Sequence, residues 1–155
     1  MLLRITRELT PEEVKERISY FERKFGSFEN FEEKFLKKGL DAKQMRTYFE
    51  WAELINSYKG YVEEGTLDYI AEEVKDFTPD QLASLTPKRM ELLYQIAALR
   101  VESINNLAQK IKRNVKNVYQ DLKVLSGFGF VRLNKRKRKN IVPETLVKEI
   151  TFLIR

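Results

Sequence analysis

The stretch Ser103 to Lys139, SINNLAQKIKRNVKNVYQDLKVLSGFGFVRLNKRKRK, constrains the fold more than any other part of the chain. Ser103 is placed to cap a helix, since its hydroxyl can accept an orphan N–H of the first turn. Ile104, Leu107, Ala108 and Ile111 then recur at i, i+3, i+4 and i+7, one apolar face at helical period. Lys112-Arg113 forms a turn, and Asn114 caps the next helix. The spacing of Val115, Val118, Leu122 and Leu125 predicts the buried stripe of that helix. Lys116, Asn117, Tyr119, Gln120 and Lys123 lie off the stripe. Gly127-Phe128-Gly129 ends the helix, because glycine accepts the left-handed dihedrals of a C-cap. Phe130, Val131 and Leu133 suit a short strand. Five cations follow, Lys135, Arg136, Lys137, Arg138 and Lys139, and apolar character resumes at Ile141 and Val142. The cations are thus expected at a hairpin tip.

A polar helix face is most often only a solvated face, and a short basic run is often a disordered arm or a targeting signal. The conjunction argues for more. From Lys112 to Asn140 ten Lys or Arg stand against one acid, Asp121, a charge of 10 − 1 = +9. Helix, turn, helix, glycine break, strand and basic loop is the layout of a winged helix-turn-helix, which lays its second helix in the major groove of DNA. Asn and Gln can bond adenine bidentately, and Lys can reach guanine or a phosphate. The expected DNA-facing set is Ser103, Lys112, Arg113, Asn114, Lys116, Asn117, Tyr119, Gln120, Lys123 and Lys135 to Lys139. The 114–126 helix would read bases, and the turn and wing would hold phosphates.

The segments Leu85-Thr86-Pro87-Lys88-Arg89-Met90-Glu91-Leu92-Leu93, Glu102-Ser103-Ile104, Leu107-Ala108, Lys116-Asn117-Val118 and Asp121-Leu122-Lys123-Val124-Leu125 carry a resemblance. Together they resemble a family of winged-helix transcriptional regulators common in archaea and distantly similar to MarR-type and ArsR-type repressors. Some members are the antitoxin half of toxin–antitoxin pairs. The likeness covers about residues 85 to 142, and its basic run is longer than the family pattern. It implies a regulator that binds double-stranded DNA.

The rest of the chain bounds this reading. It has 155 residues, enough to bury a sizeable core. It has no Cys, hence no disulfide or thiolate chemistry, and no His, the commonest general base and metal ligand. No run of 18 apolar residues suggests a membrane span, and MLLRITRELTPEE has no signal-peptide core. A cytoplasmic chain is expected. Lys and Glu abundance without Cys leans towards a thermophile. No phosphate loop, GxSxG or HExxH occurs, so neither an enzyme nor a cofactor is expected. Charge is split: residues 1 to 86 sum to 13 − 18 = −5, and residues 87 to 155 to 16 − 5 = +11. Such asymmetry joins a basic nucleic-acid module to an acidic half with another task.

In the acidic half, Leu2, Leu3 and Ile5 suit a short strand or an apolar arm. Thr10-Pro11-Glu12-Glu13 is a capping box with Pro in the first turn. Gly26, Gly39 and Gly65 separate three helices, the second begun by Ser27 and the third by Asp41. Ten aromatics lie from Tyr20 to Tyr58. They fit either a small helical core or a surface with aromatic anchors for a partner, for which Phe28, Phe31, Phe35, Tyr48, Phe49 and Trp51 are the candidates. Leu67, Ile70, Ala71, Val74 and Phe77 fit a fourth helix. Thr78-Pro79-Asp80 starts a short helical turn, and Thr86-Pro87 starts the first helix of the DNA-binding part. Leu146, Val147, Ile150 and Ile154 favour a C-terminal helix.

The expected architecture is mainly α with a small β-wing. A helical domain for dimerisation or partner binding covers residues 1–80, and a winged helix-turn-helix with a self-sufficient core covers residues 81–155. The expected function is a homodimeric, sequence-specific DNA-binding transcriptional regulator. The alternatives are an antitoxin whose acidic, aromatic half neutralises a toxin protein, and a winged helix serving only as a protein-interaction scaffold.

Overall fold

A computed structural model describes residues 1–135 and 140–155. The chain is mainly helical with some strands: seven helices and two small sheets among the described residues. It divides into two compact units, one of Met1–Glu8 with Ala71–Arg155, the other of Leu9–Ile70. This differs from the sequence-based boundary at residue 80. The first eight residues and residues 71–80 group with the C-terminal part.

In the first unit, β1 (Leu2–Glu8) lies between β2 (Ile70–Asp76) and β5 (Val147–Leu153). β1 and β5 are antiparallel, with Leu3 opposite Phe152 and Ile5 opposite Ile150, and the register shifts between Thr6 and Arg7. Two helices expected from apolar spacing are therefore strands. At residues 70–76, Ile70 and Val74 are exposed while Ala71 is buried. The i, i+4 pattern of the two β-branched residues marks the outer side of a strand rather than the core side of a helix. At 147–153, Val147, Ile150 and Thr151 are β-branched and suit a pleated surface. Pairing with β1 satisfies the backbone groups on one edge of this strand, and Ile154 points out at 93% exposure. The alternation of Leu3, Ile5 and Arg7 on the buried side of β1 fixes which face of that sheet is inward.

Against that face pack α4 (Pro79–Ala83), α5 (Pro87–Ala98), α6 (Ile104–Ile111) and α7 (Val115–Gly127). One buried cluster contains Leu3, Ile5 and Phe77 together with Leu92, Ile96, Leu107, Val118, Leu122, Leu125 and Phe130. Residues 81–155 thus do not own a closed core. α7 runs into the antiparallel hairpin of β3 (Val131–Lys135) and β4 (Ile141–Thr145), with Val131 opposite Thr145 and Lys135 opposite Ile141. The Phe130 carbonyl accepts from Leu146 and Val147 N–H at 2.8 and 3.2 Å, which ties the hairpin to β5. Gly129 sits between α7 and β3 at φ 77°, and a Cβ there would lie 3.2 Å from Cζ of the buried Arg7. Both conditions demand glycine. Arg7 pairs with Glu73 at 3.6 Å, which gives its buried charge a counterion.

The second unit holds α1 (Pro11–Phe25), α2 (Phe28–Lys38) and α3 (Ala42–Glu64). Thr10 and Glu13 form the expected capping box, Ser27 and Asp41 cap the next two helices, and each helix stops at the expected glycine. Trp51 is fully buried. Its ring meets Phe21, Phe25, Phe28 and Phe31 at centroid distances of 5.6, 6.2, 5.1 and 5.6 Å. Much of the aromatic content is therefore the core of this three-helix unit, where each aromatic ring buries a large apolar area.

Candidate nucleic-acid interface

The candidate site is built on α6, the turn and α7. Ser103 caps α6 by accepting from Asn106 N–H at 3.0 Å, so its hydroxyl is committed to the helix. Lys112 ends α6 in the left-handed conformation, φ 56°, and is exposed. Arg113 N–H returns to the Ala108 carbonyl at 3.0 Å, closing the turn. The Asn114 side chain accepts from Lys116 and Asn117 N–H at 2.9 and 3.4 Å. Its carboxamide oxygen thus starts α7, so the side-chain oxygens of Ser103 and Asn114 are both engaged in capping.

α7 is held by Val118, Leu122 and Leu125, each fully buried. Val115, expected on the same stripe, is 43% exposed, because it stands at the first helical position beyond the reach of the core. Lys116, Asn117, Tyr119, Gln120 and Lys123 are all exposed on the remaining face. Lys123 Nζ stands 5.7 Å from the Tyr119 ring centroid, a contact that orders the cation over the ring. This face offers carboxamides at 117 and 120, one helical step apart, flanked by ammonium groups at 116 and 123.

Arg113, expected in the phosphate set, is tied within the unit. Its Nη2 donates to Asp121 Oδ2 at 2.6 Å, and Arg89 Nε donates to Asp121 Oδ1 at 3.0 Å. Arg89 also donates to the Ser84 carbonyl at 2.7 Å. The single acid of the basic stretch therefore clamps α5, the turn and α7 together. The three side chains are between 13% and 23% exposed, so removing the acid strands two half-buried guanidinium groups. Asp121→Ala is expected to lower unfolding stability by about 1–3 kcal/mol. Asp121→Asn, which keeps the shape and one acceptor, is expected to cost less. Urea denaturation of both variants measures this, and an unchanged midpoint for Asp121→Ala would show that the clamp carries no stability.

The expected wing falls only partly within the described residues. Lys135 is exposed at the end of β3. Arg136, Lys137, Arg138 and Lys139 lie outside the described residues. Asn134 Nδ2 donates to Glu144 Oε1 at 3.3 Å across the hairpin.

The candidate partner residues of the second unit divide. Trp51 is core, and Phe28, Phe31, Phe35 and Tyr48 are half-buried. Tyr48 stacks on Phe35 at 4.7 Å and donates to Glu32 at 2.7 Å. That bond to the carboxylate, with burial and the nearby negative charge, raises the Tyr48 phenol above its ordinary pKa. The Tyr69 phenol is raised chiefly by burial, then by Glu50 and Glu53. Phe49 alone of the six is well exposed, at 59%, and Leu36, outside the expected anchor set, is 75% exposed. Neither phenol belongs to the unit that holds α7. Among the described residues no helix is long and apolar enough to cross a membrane.

A family model described only as HVO_A0114 matches residues 84–151, under half of the chain. The matched span runs from the end of α4 through α7 and the hairpin into β5, and excludes β1 and β2. No curated protein and no solved structure matches the chain.

Proposed function

We propose that the first unit is a winged helix-turn-helix that binds double-stranded DNA sequence-specifically, and that the protein is a homodimeric transcriptional regulator. One observation carries the reading. α7 commits Val118, Leu122 and Leu125 wholly to the core and leaves Lys116, Asn117, Gln120 and Lys123 exposed, followed by a hairpin whose strands flank the basic run in sequence. A helix so anchored can enter the major groove without losing its packing. The resemblance of residues 85–142 to winged-helix regulators supports the same reading.

Base reading falls to Asn117 and Gln120, three residues apart and so on one face. A good bidentate contact discriminates by about 1–3 kcal/mol against the wrong base. Asn117→Ala and Gln120→Ala are each expected to weaken binding to a selected site by that order and to leave scrambled duplex little changed. Stability should move by less than about 0.5 kcal/mol, as for ordinary surface changes. The check is a pair of titrations per variant on a duplex obtained by selection from random DNA. Equal loss on both duplexes would reduce these side chains to backbone positioning, and no loss on either would remove α7 from the groove.

A protein partner for the second unit is the rival. It is favoured by exposed Leu36 and Phe49 and weakened by the burial of Trp51. Failure of the protein to bind any duplex would bring it forward.

A further inference from the structure

We propose that β5 pairs edge to edge, antiparallel, with β5 of a second copy, with Thr151 on the two-fold axis. This deepens the dimer of the preceding reading, on which it rests, by naming its surface. Sheet order β2-β1-β5 leaves two outer strands in the first unit. Natural sheets guard such edges with charge, Pro or bulges. β2 is guarded: Glu72, Glu73, Lys75 and Asp76 make up four of its seven residues. β5 has no Pro or Gly, and its second half, Ile150 to Leu153, has no charge. Lys148, in the first half, is drawn to Glu8 at 3.4 Å. Phe152 is 56% exposed and, with Ile150, borders an open groove of about 480 Å³ shared with Met90, Leu93 and Tyr94 of α5. Tyr94 is 74% exposed. Beyond Val147, whose N–H bonds the Phe130 carbonyl, an unpaired backbone edge beside exposed apolar side chains calls for a strand, not for a small ligand or a helix.

The side chains say which strand fits. A two-fold axis perpendicular to the sheet keeps faces together, so residues pair with residues an even number of positions apart or with themselves. Centring the axis on Lys148 or Glu149 sets like charges directly opposite, which destabilises. Centring it on Thr151 sets Thr151 against Thr151 and Ile150 of each copy against Phe152 of the other. Thr–Thr and aromatic–β-branched pairs are favourable cross-strand pairs. The apolar pairs then fall on the side of the α5 groove, because Ile150 and Phe152 share the face of Ile5 and Leu3. The same pairing would join two three-stranded sheets into one of six strands.

The chain has no Cys, so single-Cys variants report the register. Directly opposite residues have Cα atoms about 4.5–5.5 Å apart, within the range of about 4.4–6.8 Å that a disulfide spans. Thr151→Cys of the full chain, oxidised without DNA, should give a disulfide-linked dimer on a non-reducing gel. Glu149→Cys, and Glu72→Cys on β2, should stay largely uncrosslinked. Phe152→Lys should shift the protein from dimer to monomer in sedimentation while its circular dichroism remains that of the folded chain. A monomeric wild type would overturn the proposal, as would a dimer indifferent to Phe152→Lys, or crosslinking no stronger at 151 than at 149 or 72. Because none of these measurements contains DNA, loss of the dimer surface is distinguishable from loss of the DNA-binding reading.

Discussion

Raising salt from 50 to 200 mM is expected to weaken duplex binding by about 10³- to 10⁵-fold, for a dimer that engages about 6 to 10 phosphates. Each phosphate neutralised releases condensed counterions, so affinity falls as a power of salt concentration. Lys112, Lys116, Lys123 and Lys135 are exposed on and beside α7, and Arg136 to Lys139 continue the run in sequence. Arg113 does not add to this set at full strength, because Asp121 already neutralises it at 2.6 Å. Neutralising Arg136, Lys137 and Arg138 to Ala should lower the salt slope by about 0.9 for every phosphate that the variant no longer engages. It should weaken all duplexes alike, since phosphate contacts carry no sequence information directly. Fluorescence titrations at four salt concentrations suffice. An affinity flat in salt would remove the electrostatic basis of the proposal. An altered preference among sequences with an unchanged slope would put the wing in a groove, reading bases or minor-groove width.

What is legible in the sequence is whatever is decided within about one helical turn. Thr10, Ser27, Asp41, Ser103 and Asn114 each cap the helix expected of them, since a cap needs only a short polar side chain and N–H groups two or three residues on. The stripe of α7 is legible except at Val115, where the helix begins. The strands β2 and β5 are not, because the deciding partner of each, β1, lies about 70 and 145 residues away in sequence. Apolar residues at 70, 71, 74 and 77 satisfy a helical template by spacing, and tertiary pairing overrides it. The clamp at Asp121 escapes for the same reason: Arg89 lies 32 residues off. The signal that points to it is the lone acid in a stretch of charge +9. Trp51 shows the limit of composition, which cannot tell an aromatic core from an aromatic surface.

The dependence of the basic unit on β1 leads to the second large effect. A fragment of residues 81–155 is expected to lose cooperative unfolding, although it contains all of α5 to β5 but not β1. It lacks Leu3, Ile5 and Phe77, which are 0%, 1% and 4% exposed in the same cluster as Leu92 and Leu122. Deleting a large buried side chain costs about 2–5 kcal/mol. Three such losses rival the whole stability of a small domain, about 5–15 kcal/mol. β5 would also lose the strand it pairs with from Leu153 back to Val147, leaving two bare edges instead of one. In the intact chain the same packing is tested more gently by Ile5→Ala, expected to lower stability by about 2–5 kcal/mol with its midpoint shifted and its urea slope unchanged. Thermal melts of the fragment and urea curves of the variant are the measurements. A fragment that melts as sharply as the full chain would mean that α5, α6 and α7 close over one another without β1, and that the boundary near residue 80 divides the molecule after all.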